Sequence, residues 1–515
     1  MQEKQKVNGF QSGIGFILAS AGSAIGLGNL WSFPYKTAKY GGAAFVFMYL
    51  ISVLLIGIIV MFCEFHIGRR AKANPISAYK KANKNFGFLG LIAIIIPFVI
   101  TCYYSILGGY TIKFAVSSFS GNTGIMNSFA GNSWAVILFT FIFVMLAVLV
   151  VMGGVKKGIE NVSKILMPAL LLILIALAIY ALCLGDGVKE GLDFYLNPNF
   201  KELGFEGVLA AMSQAFFSLS LGMGIMVSYG SYAGKEINVG KSIGFICLFD
   251  TMVALLAGLL IFPSAFHFDP NIDTTSLNGM TLMFEILPKI FASLGGLGKA
   301  ISLFFFAMVC IAALTSVISL LEVVTQFVIQ KFKIKRKIAI STVAVICFAL
   351  SIPIGISLGK ATNEDYSMML FGLNYLDFLD KISNVVLMPI GALGACLIVG
   401  YSLSNAKNKK QAFSTKLLEK TLNEEGLNLG WFSKIFNVMV KFITPVLIIV
   451  VEIFGVVDII FAKNKVGVRE FSSNGLFMVV IAYLICGIAV TLYFTLLKNK
   501  ETGENADELE LDKKA

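Results

Sequence analysis

The chain contains a series of long apolar stretches, numbered here as runs 1 to 12 in chain order. A helix of about 20 residues crosses the roughly 30 Å hydrocarbon core of a bilayer. With 57% hydrophobic and only 14% charged residues among 515, the chain cannot bury its apolar surface in a water-soluble globule. The runs are 13–37, 41–68, 89–119, 134–153, 162–184, 207–232, 241–266, 297–330, 338–357, 370–402, 437–462 and 475–497. We therefore predict an all-α integral membrane protein with about twelve transmembrane helices.

The basic residues are distributed by loop parity. Lysines and arginines cluster between runs 2 and 3, after run 8 and after run 10, whereas the loop 121–132 has none. Cytoplasmic loops carry the excess of Lys and Arg, so both termini are expected to be cytoplasmic, with the loop after run 11 a modest exception. The net charge of +11 then reflects membrane orientation and not nucleic-acid binding. The predicted external loops carry no glycosylation sequon, which favours the plasma (inner) membrane of a bacterium.

The cysteines and histidines give little support to metal or covalent chemistry. All eight cysteines lie in apolar runs without paired spacing, which argues against a disulfide framework or a zinc site. The two histidines are far apart. No nucleophile and base are spaced for catalysis and no soluble domain is apparent, so we do not expect an enzyme or an organic cofactor.

Two runs are interrupted by small and polar residues where a transmembrane helix should be continuous. Run 1 contains Ser20–Asn29, with three glycines, two serines and an asparagine, and run 6 contains Ser218–Gly224, with two glycines. Backbone N–H and C=O groups freed at bilayer depth must face a cavity or an ion, because exposing each to lipid costs several kcal/mol. Two broken helices in corresponding halves point to a central binding site.

The two breaks also predict the organisation of the chain. Runs 1–5 and runs 6–10 each open with a broken helix, and five crossings reverse the direction of the chain, so the units form a 5+5 inverted repeat. Runs 11 and 12 are two extra C-terminal helices. The predicted segments are a cytoplasmic N-terminus 1–12, a first repeat 13–184, an extracellular loop 185–206, a second repeat 207–402, a cytoplasmic loop 403–436, the last helices 437–497 and a cytoplasmic tail 498–515.

Three segments resemble the neurotransmitter:sodium symporter family, and the resemblance covers essentially the whole chain. They are Gly22–Pro34, Gln214–Gly222 and Ala312–Ser316. The resemblance implies a leucine-transporter-like bacterial symporter, which imports an amino acid with sodium by alternating access between the two sides of the membrane. Two alternatives stay open: a proton-coupled or sodium-independent amino-acid exchanger of the same fold, and a non-transporting amino-acid sensor.

The resemblance places the substrate between the two breaks. Half-helix amide ends carry partial positive charge, so the N–H groups of Leu27 and Gly28, with the hydroxyl of Tyr104, can receive a substrate carboxylate. The ammonium group would use freed carbonyls, and the remaining wall is apolar, which favours a hydrophobic or aromatic L-amino acid. The expected substrate-binding residues are Ser23, Ala24, Leu27, Gly28, Ile100, Tyr104, Phe217, Ser218, Ser220, Met223, Ser316 and Leu320.

The resemblance also implies two sodium ions, which as hard cations take oxygen ligands. The expected ligands of sodium 1 are Ala24, Asn29, Ser218, Asp250 and the substrate carboxylate, and those of sodium 2 are Gly22, Ile25, Ala312, Thr315 and Ser316. A charged Asp250 in an apolar run costs about 2.5–3.5 kcal/mol and needs a cation or a proton. Chloride-dependent relatives have neutral side chains at this ion site, so a fixed carboxylate predicts chloride-independent transport. The alternatives are a protonated Asp250 in a structural hydrogen bond or a proton-carrying one.

The gates depart from the family pattern. The expected gating residues are Tyr104, Phe217, Asp380 and Tyr232, and Glu64 is expected to bond the broken backbone of run 6, with Arg69 or Arg70 as its alternative partner. The family has arginine where this chain has Ser32, which removes the usual cation opposite Asp380. The arginine and aspartate of the cytoplasmic gate correspond to Val7 and Gln330, with Lys6 nearby. We therefore expect gates that close by the Tyr104 and Phe217 lid and by packing.

Overall fold

The computed structural model describes residues 9–119, 125–270, 272, 279–293, 295–363, 365–371, 373–402, 432–461 and 471–491. The predictions for Lys6 and Val7, for most of the loop 403–436 and for the tail 498–515 lie outside these residues. Within them the chain is helical throughout and has no β-strand, which confirms the all-α prediction.

Ten helices in this part of the chain are long and apolar enough to cross a bilayer, and one bent pair makes an eleventh. We number them in the order of the runs. The bent pair is α1, with halves α1a (Gly13–Ala24) and α1b (Gly28–Lys39) that meet at 46°. The other ten are α2 (Ala43–Ala71), α3 (Lys84–Ser118), α4 (Ser133–Met152), α5 (Val155–Leu182), α7 (Val239–Phe268), α8 (Gly295–Phe332), α9 (Arg336–Thr362), α10 (Tyr375–Tyr401), α11 (Ser433–Ile460) and α12 (Ser473–Thr491).

The sixth helix is also broken, into α6a (Phe200–Ser218) and α6b (Ile225–Tyr232). Neither half is by itself long and apolar enough to count as a helix that crosses the bilayer. The count of twelve depends on whether α6 is taken as one span, and it stays a prediction.

The predicted boundaries differ most before α6. The loop predicted at 185–206 contains a short helix, Val188–Leu196, and the first turns of α6a. Asn199 caps α6a by accepting a hydrogen bond from the N–H of Lys201 (3.2 Å), so the helix begins in a polar segment that an apolar run does not include. Gly204, with φ 54°, kinks the helix close to the predicted start at 207.

The helices pack so that the two breaks meet. α3 packs against α4, α8 and α9, and α5 against α7 and α8. α1a lies against α5, α7 and α8, while α6b packs on α2 and α10 packs on α11. The hydroxyl of Ser220 in the second break donates to the carbonyl of Ser23 in the first (2.9 Å). We call the end of the bundle where α1a begins the cytoplasmic end and the opposite one the extracellular end, after the orientation predicted from the loop charges.

Candidate substrate and sodium site

The break in α1 frees backbone amides that side chains then bind. Ile25 leaves the helical conformation, with φ −69° and ψ 109°. The N–H of Gly26 donates to Asn29 Oδ1 (3.1 Å) and the N–H of Leu27 donates to the Tyr104 hydroxyl (2.8 Å). The polar ends of the half-helices are therefore held open by side chains, and not closed by further helical turns.

The break in α6 depends on left-handed backbone. Ser220, Gly222 and Gly224 have φ of 53°, 79° and 69°. Glycine adopts such values without a Cβ clash, whereas Ser220 needs support. Its hydroxyl bond to the Ser23 carbonyl supplies that support. The N–H of Gly222 donates to Oε1 of the fully buried Glu64 (2.9 Å), which is the arrangement expected for Glu64 from the resemblance.

A cavity of about 20 Å³ lies between the two breaks. Its walls are Ser23, Ala24, Gly26, Gly28, Ile100, Tyr104, Phe217, Ser220, Met223, Ile225, Ser316 and Leu320. Of the expected substrate-binding residues, Leu27 and Ser218 do not line it and lie behind the wall. Gly26 and Ile225 were missed, although each adjoins a break and an unwound segment exposes every residue within it.

Asp250 of α7 lies at the centre of a buried hydrogen-bonded cluster beside this cavity. Its Oδ1 accepts from Asn29 Nδ2 (2.8 Å), and its Oδ2 accepts from the hydroxyls of Ser218 (2.7 Å) and Tyr49 (3.0 Å). Asn29 Nδ2 also lies 3.0 Å from Ser218 Oγ and from the Asp250 carbonyl. These hydroxyl, carbonyl and carboxylate oxygens are of the kind that sodium prefers. Tyr49 was not among the expected ligands, and its hydroxyl in run 2 was the available signal.

The residues expected at sodium 2 come from the break in α1 and from α8. Ser316 Oγ lies 3.2 Å from the carbonyl of Ser23 and 3.4 Å from that of Ile25. Thr315 Oγ1 donates to the carbonyl of Ala312 (3.0 Å). Gly22 faces α5, where an added Cβ would lie 3.0 Å from Met167 Sδ. Hydroxyls of α8 and freed carbonyls of α1 thus lie next to one another.

The extracellular end carries charged side chains, among them the expected gate residue Asp380. Asp380 of α10 accepts from the Tyr103 hydroxyl (2.9 Å) and from Asn384 Nδ2 (2.7 Å). On α1b, Ser32 Oγ and Lys36 Nζ each donate to Gln214 Oε1 at 2.8 Å. Lys36 and its partner Gln214 were not among the residues expected from the sequence.

The cytoplasmic end contains a charge pair that the sequence analysis also missed. The guanidinium of Arg336 binds the fully buried carboxylate of Glu322, which also accepts from the hydroxyl of the expected gate residue Tyr232 (2.7 Å). Arg336 Nε donates to the carbonyl of Val151 (2.8 Å), and Gln330 accepts from the N–H of Asn74 (2.9 Å). An acid inside run 8 was the available signal, because an ionisable residue within a span usually has a functional partner.

A second acid holds the start of α1a at the same end. Glu160 accepts from the N–H of Gln11 (2.8 Å), the hydroxyl of Ser12 (2.9 Å) and the ammonium of Lys164 (2.7 Å). Gly15 lies so close that an added Cβ would meet the Glu160 carboxylate. The first turn of α1a is therefore bound to α5.

Comparison with known proteins agrees with this architecture. The family model described as "Sodium:neurotransmitter symporter family" matches residues 8–137 and 126–499. The chain is 36% identical over 464 residues to the uncharacterized sodium-dependent transporter YhdH of Bacillus subtilis (strain 168). The aligned residues make up 88% of this chain and 98% of that protein. It is 26% identical over 389 residues to the sodium- and chloride-dependent GABA transporter ine of Drosophila melanogaster, covering 64% of this chain and 40% of that protein.

The crystal structure of MhsT in complex with L-phenylalanine has the same fold. It superposes with a TM-score of 0.78 at 36% identity and covers 87% of this chain and 99% of MhsT. Breaks, helix packing and sequence thus agree along most of the chain. This multi-pass membrane protein belongs to the sodium:neurotransmitter symporter family of sodium-dependent transporters.

Proposed function

We propose that this transporter imports a hydrophobic or aromatic L-amino acid together with sodium, by alternating access and without a requirement for chloride. The observation that supports this best is the cavity between the breaks, which has polar backbone on one side and an apolar wall on the other. Ile100, Met223 and Leu320 are buried side chains of that wall. An amino acid with a large apolar side chain matches both sides.

The polar side suits a zwitterion. The N-terminal end of α1b carries partial positive charge, and Gly28 at that end lines the cavity next to Tyr104, so a carboxylate is stabilised there. Ala24 and Ser220 line the cavity where the chain is unwound, and freed carbonyls of this region suit an ammonium group. The described residues of the cavity wall include no Asp or Glu. A primary amine without an α-carboxylate would therefore find no negatively charged side chain there.

The apolar side suits a bulky side chain. Met223 lies between Gly222 and Gly224, and a flexible thioether adapts to irregular shapes more easily than a branched side chain does. The cavity of about 20 Å³ must widen to admit such a substrate, and Met223 and Phe217 are among the side chains that line it. L-Phenylalanine is bound to MhsT, a relative of known structure, which makes it the first substrate to test.

Asp250 supports independence from chloride. Its carboxylate accepts hydrogen bonds from two hydroxyls and an amide, and it is itself one of the residues expected to hold sodium 1, with Asn29 and Ser218 among its partners. A fixed negative charge there balances the cation without a bound anion. One relative, the Drosophila protein, is named for its dependence on both sodium and chloride, so the family includes both behaviours if this proposal holds.

Uptake into proteoliposomes tests the proposal. Full-length protein is reconstituted, and labelled amino acids are supplied with an inward sodium gradient. We expect hydrophobic and aromatic amino acids to accumulate, choline in place of sodium to abolish uptake at clamped pH, and gluconate in place of chloride to change it by less than about twofold. Uptake that persists in choline supports the exchanger, binding without uptake supports the sensor, and a several-fold fall in gluconate contradicts chloride independence.

Asp250→Asn tests the sodium site. The amide keeps the shape but removes the charge, so we expect the sodium concentration for half-maximal uptake to rise about tenfold, equivalent to about 1.4 kcal/mol. Ser264→Ala is a matched control on α7, because Ser264 bonds only its own helix, at the Leu260 carbonyl (2.7 Å). An unchanged sodium response in Asp250→Asn would exclude Asp250 from the site.

The loop charges support the remaining details. We propose that both termini face the cytoplasm of a bacterium and that the protein resides in the plasma membrane. Labelling of single cysteines introduced at the two ends of the chain by a membrane-impermeant reagent in intact cells tests the orientation, and labelling from outside would contradict it.

A further inference from the structure

Lys36 brings a cation to the acceptor that the side chain of Ser32 also contacts. Ser32 and Lys36 lie four residues apart and therefore on one face of α1b. Side chains in a helix lean toward its N-terminus, so Lys36 leans back over the turn that carries Ser32. Both side chains reach the same acceptor, Gln214 Oε1, at 2.8 Å. A cation is thus delivered to the Ser32 position from the next turn of the helix.

Gln214 transmits this contact to the substrate cavity. It is fully buried in α6a, and its Nε2 donates to the carbonyl of Gly28 (2.7 Å), a residue of the cavity wall. The hydrogen bond from Lys36 is charge-assisted, and adjacent hydrogen bonds in a low-dielectric interior polarise one another. The ammonium, the amide and the Gly28 carbonyl therefore form one chain of bonds that joins α1b to α6a.

Asp380 carries the opposite charge on the facing helix α10. Its Oδ1 accepts hydrogen bonds from Tyr103 and Asn384, which are both neutral. Tyr103 precedes Tyr104, which lines the cavity, so Asp380 is bonded to the helix α3 that forms part of the cavity wall. The acid and the cation thus lie on two different helices, α10 and α1b.

We propose that Lys36 is the cation of the extracellular gate, displaced by one helical turn from the position where the family has arginine. This inference rests on the proposed function. Acting through Gln214 on the Gly28 carbonyl and through space on Asp380, Lys36 is a positioning residue that holds α1b and α6a closed over the bound amino acid. Because lysine is a flexible point charge and here contacts a neutral amide, the gate is held less rigidly than by a bidentate arginine–carboxylate pair.

Variants that move the positive charge from position 36 to position 32 test the proposal. The full-length protein is measured as wild type, Lys36→Gln, Ser32→Arg/Lys36→Gln and Lys39→Gln, with labelled L-phenylalanine as the probe. Two quantities are measured in sodium: the dissociation rate of bound phenylalanine and the KM for uptake. Lys39 is the matched control, because it lies on the same helix with its ammonium over the Tyr40 ring (5.5 Å) and is exposed.

We expect Lys36→Gln to accelerate phenylalanine dissociation and to raise KM about tenfold, since the substitution removes a charge-assisted hydrogen bond. The double variant, with arginine introduced at position 32, should return both values to within about twofold of wild type. Lys39→Gln should also keep both values within about twofold of wild type. A Lys36→Gln variant that releases phenylalanine at the wild-type rate overturns the proposal. So does a double variant that has the same melting temperature as Lys36→Gln but neither a slower dissociation nor a lower KM. Wild-type protein that binds phenylalanine but shows no sodium-driven uptake overturns the proposed function instead.

Discussion

The two ends of the transporter carry charges that are arranged differently. At the cytoplasmic end, Arg336 and the fully buried Glu322 are in direct contact and Tyr232 bonds the same carboxylate. At the extracellular end, Lys36 contacts the neutral amide of Gln214, while Asp380 is bonded to neutral partners. Separating a buried ion pair leaves two poorly solvated charges, whereas separating an amide relay leaves one.

This difference predicts unequal resistance to opening. The cytoplasmic end is also tied through Glu160 to the first turn of α1a. In the proposed import cycle, a substrate arriving from outside meets the end that is held by fewer direct charge contacts. Release to the inside then requires the direct pair to separate, with sodium and substrate binding supplying the free energy.

The largest effect is expected at the direct pair. Glu322→Ala leaves Arg336 without its carboxylate, and loss of one member of a buried pair costs about 3–5 kcal/mol. Because the Arg336 side chain is 24% exposed, we expect the lower part of that range, with a lower melting temperature and uptake reduced at least tenfold.

The double variant Glu322→Ala/Arg336→Ala separates the unpaired charge from the lost gate. It should recover part of the stability without recovering uptake, because the unpaired cation is gone while the proposed gate stays open. If Glu322→Ala has the melting temperature and the uptake of wild type, the cytoplasmic end is not held more firmly than the extracellular end.

A smaller effect is expected where α1a is tied to α5. Glu160→Gln removes the negative charge that three donors share, so we expect the free energy of unfolding to fall by about 1.5–3 kcal/mol. Hydrogen exchange of the amides at 11–16 should accelerate, and phenylalanine dissociation at the extracellular end should not change. Lys164→Gln is the control, since Lys164 is 36% exposed and should contribute less than about 1 kcal/mol. Equal effects of the two substitutions would argue against a tether through Glu160.

A modest effect is expected from the neutral contacts of the extracellular gate. Tyr103→Phe removes one hydrogen bond to Asp380 and should cost about 0.5–1.5 kcal/mol, so phenylalanine should dissociate about two- to tenfold faster. The melting temperature should change little, because the ring remains packed. Slower dissociation than wild type would contradict the assignment of Tyr103 to this gate.

The smallest effect is expected for an ion pair outside both gates. Lys360 and Asp365 lie 3.3 Å apart near the extracellular end of α9 and are 38% and 52% exposed. Exposed pairs are screened by water and salt, so Lys360→Gln should change stability by less than about 0.5 kcal/mol. Melting curves at low and high salt check this value, and a shift as large as that of Glu160→Gln would mean that surface charges, not the gates, dominate.

The sequence by itself determined the spans, the two breaks and most of the cavity wall. Hydrophobic runs are set by the bilayer thickness, so α2 to α5 and α7 to α12 lie close to their predicted positions. Small residues such as Gly26 and Gly222 mark breaks because a continuous helix gains nothing from them. The resemblance then named nearly all residues that line the cavity, since that wall is made by the motifs themselves.

Only the tertiary structure decided how the gates are held. The partner of Lys36 is 178 residues away on α6a, and the partner of Ser12 is 148 residues away on α5. Glu322 meets Arg336 only because α8 and α9 turn back at the cytoplasmic end. Hydropathy and residue spacing describe a single helix, whereas these pairs depend on which helix faces lie against each other, and that is fixed by packing across the whole bundle.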